Sequence, residues 1–265
     1  MRVRDAGDVN LLQETLRRLH HWCCKNAMSL NLDKCKAMTL HTNKNPILAS
    51  YNINNVSLSR VESIKDLGVT FEPNLKFNLH YNNIKNKSLK MLGLLYRHTQ
   101  DFRNPTTLKN LYYSYVLPNL EYCCTVWSPQ YETDIKFLES VQHKFLRMLA
   151  FKTYTRILDH NYEDIMTKNN IISLKKRRDM QDLIFLHKIL NAQIYSPEIL
   201  SKINLKTKGR ATRSTDIFAL RTNKTNLGEH APIHRMLKIG NIASGVGLDM
   251  FHSSVGQIKD YFFNT

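Results

Sequence analysis

The apolar positions of this chain change period once, near residue 72. Before that point they come in short alternating groups bounded by Asn and Pro; after it they recur at spacings of three and four, the mark of helices, almost to the end. The early exception is residues 8–27. There Leu11, Leu12, Leu16, Leu19, Trp22 and Cys23 share one helical face, Asp8 or Asn10 stands in N-cap position, and Arg17, Arg18 and Lys25 mark a polar side. A strand over 36–41, a break at 43–46 and a strand over 51–56 predict an antiparallel pair, Asn54-Asn55 being a turn-compatible step. The β-branched and aromatic run at 61–70 joins them, with Gly68 allowing a bend or close backbone approach.

Residues 77–99 predict a helix with Ile84, Ser88, Met91, Leu92 and Leu95 inward. Asn104-Pro105 is a strong helix start, and the helix should run to Pro118, which kinks or ends it. The pattern resumes over 119–127, with Leu120, Cys123, Cys124 and Trp127 on the buried side. Thr133 caps a helix through Phe145 and Leu149, and Ser173 caps another carrying Leu183, Ile184 and a core histidine, His187. Between them the register is lost. Residues 201–230, rich in Lys, Arg, Thr and Asn, suit a mobile basic linker, followed by helices near 233–239 and ending at Phe263. The predicted fold is α+β and mainly helical: a small antiparallel sheet in 1–72, a helical bundle in 73–151 and a basic helical region in 152–265.

Charge changes the picture. The 265 residues carry a formal net charge of +16 with an ordinary hydrophobic share of 42%. Excess positive charge attracts polyanions and favours phosphate contacts through counterion release. Lys175, Lys176, Arg177 and Arg178 sit in the first turn of a predicted helix, the positive end of its dipole, where cations are disfavoured. That placement suggests an anionic partner or a nuclear-import signal. Glu121, in an apolar stretch, reads as half of a structural ion pair. The five cysteines show no Cys-x-x-Cys spacing and read as reduced, and His20 and His21 beside Cys23 and Cys24 do not converge as a tetrahedral site would. No apolar run spans a bilayer and the charged start lacks a signal-peptide core, so a soluble intracellular protein of nucleus or cytoplasm is expected.

The run Arg60-Val61-Glu62-Ser63-Ile64-Lys65-Asp66-Leu67-Gly68-Val69, preceded by Leu30-Asn31-Leu32-Asp33-Lys34-Cys35 and followed by Leu75-Lys76-Phe77-Asn78-Leu79-His80, resembles the segment just downstream of the polymerase site in non-LTR retrotransposon reverse transcriptases. The likeness continues through Leu120-Glu121-Tyr122, Val126-Trp127 and Lys144-Phe145. It implies a palm end, a helical thumb and a post-thumb region. Leu67 and Gly68 would belong to the primer grip, Lys34 would approach the leaving pyrophosphate, and Lys85, Lys90 and Arg97 would track a template–primer backbone or simply face solvent. The family's paired aspartates would fall before residue 1, and no Asp-Asp occurs in this sequence. No metal ligand or cofactor is therefore assigned; Mg2+ belongs to the complete polymerase. The implied partners are RNA, DNA or RNA–DNA hybrid, and an upstream palm and fingers portion if one exists. The alternatives are a non-catalytic nucleic-acid-binding module, using also the basic stretch 202–213, or a decayed remnant.

Overall fold

The computed structural model describes residues 3–41, 45–157, 159, 161–206 and 216–264. Among them the chain is mainly helical, with twelve α-helices and three two-stranded sheets, the α+β class that the periodicity predicts. It divides into two compact units, one ending at His80 and one beginning at Tyr81.

In the first unit, helix α1 (Ala6–Lys25) starts where the Asp5 carboxylate accepts a hydrogen bond from the Asp8 amide at 2.9 Å, satisfying one of the free amides of the first turn. The cap lies upstream of the Asp8 or Asn10 expected. Of the apolar stripe only Cys23 is buried, while Leu11, Leu19 and Trp22 are exposed. Then come a 3-10 turn at Leu32–Lys34 and six short strands, β1 (Lys36–Ala37), β2 (Asn52–Ile53), β3 (Val56–Ser57), β4 (Ser59–Arg60), β5 (Ile64–Asp66) and β6 (Val69–Phe71).

The pairing differs from the expected antiparallel sheet. β1 runs parallel to β4, whereas β2 pairs with β3 and β5 with β6 as hairpins. The cause is local. Asn54 and Asn55 both have positive φ (49° and 61°), as do Leu67 (43°) and Gly68 (90°), and two such residues in succession reverse a chain with the twist a hairpin needs. The expected strand over 61–70 is thus folded back at Leu67-Gly68. Side chains hold strands too short to hold themselves: Gln13 both donates to the Asn52 carbonyl (2.8 Å) and accepts from its amide (3.0 Å), and the Arg60 guanidinium donates to Thr39 Oγ1 (2.6 Å) and to the Ala49 carbonyl.

Helix α2 (Asn78–His98) leads into the second unit. Near its start, Glu72 accepts from the Leu79 amide (3.0 Å) and His80 Nδ1 accepts from the Thr70 amide (3.2 Å). Helix α3 (Pro105–Tyr115) opens as read, with Asn104 Oδ1 accepting from the Thr106 and Thr107 amides at 2.9 and 3.1 Å. Short α4 (Leu117–Glu121) and α5 (Cys124–Trp127) replace the continuous helix expected over 119–127. Cys123, exposed and at φ 56°, breaks it, so the cysteine assigned to the buried side faces out while Cys124 and Trp127 are buried. Helix α6 (Glu132–Lys152) begins one residue before Thr133, without a side-chain cap.

The stretch whose register was lost contains α7 (Glu163–Lys168). Helix α8 (Leu174–Leu190) starts at Ser173, whose hydroxyl accepts from the Lys176 amide. After it come α9 (Pro197–Leu200), α10 (Asn226–Glu229), α11 (Pro232–Gly245) and α12 (Val255–Asn264). One core lies among α2, α3, α4, α6 and α7, where Leu108, Tyr112, Leu120, Val141, Phe145 and Leu149 are fully buried and the Tyr112 and Phe145 rings stack at 4.0 Å. A second lies among α8, α11 and α12 around Leu183, Leu186, Leu237 and Ile258.

The expected linker contributes to this second core. Phe218 is buried, Asn241 Oδ1 accepts from the Ile217 and Phe218 amides, and Asn241 Nδ2 donates to the Phe218 carbonyl. A Cβ at Gly240 would stand 2.7 Å from the Phe218 ring, so only glycine admits that approach. Lys208, Arg210 and Arg213 of the basic stretch lie outside the described residues. Among the described residues no helix is long and apolar enough to cross a membrane.

Candidate nucleic-acid interface

The basic cluster at the start of α8 is compensated inside the chain. Glu139, projecting from α6, accepts from the Leu174 amide (3.2 Å) and the Lys175 amide (2.8 Å) and so places a carboxylate at the positive end of the α8 dipole. Arg177 makes a two-pronged ion pair with Glu121 and lies over the Tyr113 ring, 5.0 Å from its centroid. Glu121 is therefore the structural ion-pair partner that its apolar setting suggested. Arg178 is 2% exposed, and its two terminal guanidinium nitrogens have no hydrogen-bond partner among the described residues. Burial lowers its basicity, opposed by the nearby Glu139 carboxylate. Both arginines, expected as phosphate contacts, thus turn inward in the fold. Lys175, 3.6 Å from Glu132, and Lys176 remain at the surface.

Lys85, Lys90 and Arg97 do not form one row. Lys85 turns toward α6, its ammonium 3.4 Å above the centroid of the Phe137 ring, and desolvation together with the Lys144 charge lowers its pKa. Lys90 and Arg97, seven residues apart and both exposed, share another side of α2. Arg97 borders the Lys85 side as well, since its Nη1 lies 3.9 Å from where a Cβ on Gly93 would stand.

Between α2 and α6 runs a groove of about 480 Å³ lined by Leu89, Leu92, Gly93, Tyr96, Lys144, Arg147, Met148 and Phe151. Its floor is apolar. Tyr96 and Phe151 are 49% and 73% exposed, and Lys144 and Arg147 are exposed cations without an ion pair among the described residues. Buried Lys152 anchors the end of α2 by donating to the Thr99 carbonyl, and its ammonium lies 5.6 Å from the Tyr96 ring centroid. Elsewhere on α6 the exposed Lys136 extends the basic face, and His143 stacks on Tyr162 at 4.3 Å. Burial lowers the His143 pKa, Glu139 opposes this by less, and the Arg147 charge adds to the lowering. Cations beside exposed aromatic rings suit a polyanion with planar bases.

The sequence pattern did not reveal the groove. Gly93, unexplained in mid-helix, was the available signal.

In the first unit, Lys34 is exposed at the end of the 3-10 turn, where its amide donates to Asn31 Oδ1 (3.2 Å). Leu67 is 84% exposed at the tip of the β5–β6 hairpin, beside Gly68. Among the described residues, no three of His, Cys, Asp and Glu converge to hold a metal ion.

No protein-family profile matches the chain, and no solved structure matches it. It is 28% identical over 138 residues to an uncharacterized protein of Caenorhabditis elegans, a match covering 51% of this chain and 67% of that protein. It is 30% identical over 155 residues to the RNA-directed DNA polymerase from the mobile element jockey of Drosophila funebris, covering 56% of this chain but 16% of the polymerase. The chain is thus distantly similar to a jockey-element RNA-directed DNA polymerase and spans a small part of its length.

Proposed function

We propose that this chain supplies template–primer binding and primer grip to an RNA-directed DNA polymerase of the non-LTR retrotransposon kind, and that alone it binds nucleic acid without extending it. The observation that carries this reading is the set of exposed cations without an ion pair among the described residues, Lys144 and Arg147 on α6 with Lys90 and Arg97 on α2, on a chain of net charge +16 similar to such a polymerase. Phosphate contacts of this kind hold a backbone and leave sequence unread. The Leu67-Gly68 hairpin tip is the primer-grip element, and Lys34 is the leaving-group lysine of the complete enzyme. Lys175 and Lys176 extend the binding surface.

Binding of a labelled RNA–DNA hybrid, followed across salt concentration, tests it. Affinity should fall steeply with salt, and Lys144→Gln with Arg147→Gln should flatten the log–log slope by about 1 per contact removed. No binding at low salt overturns the reading. In the same preparation, primer extension with Mg2+ should give no product, because no Asp-Asp is present; product would show that the catalytic part of this account is wrong.

A further inference from the structure

Resting on that reading, we infer that the α2–α6 groove is a seat for one unpaired base of the bound nucleic acid, stacked against Tyr96 and Phe151 with its phosphate on Arg147 or Lys144. Three observations converge. The first is shape: the groove, about 480 Å³ and open to solvent along one side, has room for a flat ring to lie between Tyr96 and Phe151. The second is chemistry, because rim cations with no acidic partner among the described residues leave positive charge next to exposed aromatic faces. An apolar protein helix would satisfy the floor and strand those charges; a nucleotide satisfies both. The third is Gly93.

Glycine inside a helix is unfavourable relative to alanine, and a mid-helix glycine normally answers to crowding or to positive φ. Gly93 answers to neither. A Cβ there would meet only Arg97 Nη1, at 3.9 Å, and the residue lies within regular helix. Among the described residues nothing asks for the missing side chain. A ligand lying flat over the helix does. Every base offers a π-face, so the seat is tolerant of sequence and selects unpaired over paired bases.

The test uses the full chain and two labelled probes: a blunt RNA–DNA hybrid, and the same hybrid with a short single-stranded 5′ overhang. The overhang should raise affinity about tenfold, and an abasic overhang should lose that gain. Gly93→Leu should fill the groove, raise the thermal midpoint through better helix propensity, and abolish the overhang gain while leaving blunt-hybrid affinity and its salt slope intact. A merely structural role cannot move stability up and one affinity down. Phe151→Leu, at an exposed position, should act likewise on the overhang alone. Equal binding of blunt, overhanging and abasic probes overturns the base seat and leaves the parent reading standing. Failure to bind any probe overturns both. Dimerisation abolished by Phe151→Leu would put a second copy of the chain in the groove and overturn the inference.

Discussion

Leu67 shows how one residue can work against its own fold. At φ 43° its Cβ crowds the backbone, a conformation that costs an L-residue roughly 1–2 kcal/mol, yet the side chain is 84% exposed and brings little burial in return. Asparagine tolerates this region, so Leu67→Asn is expected to raise the stability of the first unit by about 1 kcal/mol, read from its denaturation midpoint. Under the primer-grip reading the same substitution weakens hybrid binding. A change that stabilises and leaves binding untouched would remove Leu67 from the grip. Arg177 and Arg178 make the opposite point. Their residue type gave no sign that one would pair with Glu121 and the other would be buried, because the decisive partners come from helices distant in sequence.

Among elements, α8 depends on a group outside itself. Its first turn carries four cations where the helix dipole is positive, and Glu139 of α6 supplies the carboxylate that offsets them while accepting from two first-turn amides. Glu139→Ala leaves both amides without their acceptor at a partly buried terminus, so a loss of about 1–3 kcal/mol is expected in chemical denaturation. Glu139→Gln keeps an acceptor and should lose less. Equal losses would show that charge, not hydrogen bonding, holds the α8 start. The starts at Asn104-Pro105 and Ser173 were legible because cap and amides lie within three residues, and so was the Asn54-Asn55 turn. The Glu139 cap was not, nor the groove, since each joins residues that only packing brings together. The helix break at Cys123 and the exposed α1 stripe failed for another reason: apolar periodicity reports a capacity for burial, and burial needs a facing surface.

At the scale of the whole molecule the two units should answer acid in opposite directions. In the first, burial, with a smaller contribution from Lys65, lowers the His80 pKa to about 4, and its neutral Nδ1 accepts from the Thr70 amide. The unfolded chain takes up this proton near pH 6.5 and the folded unit does not. The stability carried by neutral His80 is therefore present above pH 6.5 and is lost as pH falls toward 4, by at most about 3 kcal/mol. In the second unit, burial pushes the Asp182 carboxyl up to about 6 even though Arg235 donates to it. A raised carboxyl has the opposite sign: its contribution is full below pH 3.8 and fades as pH rises through 6, so acidification restores stability there. Asp134 and Asp179, both raised by burial, act with Asp182, while His143 and His230, both lowered by it, act against. Peptide-resolved hydrogen exchange across a urea series at pH 7 and pH 5 separates the two responses. Peptides covering 64–80 should lose midpoint on acidification, and those covering 174–190 should hold or gain. His80→Gln, which cannot titrate, should remove the first response and leave the second, and a 64–80 midpoint indifferent to pH in the unchanged chain would mean that His80 is not held neutral by the fold.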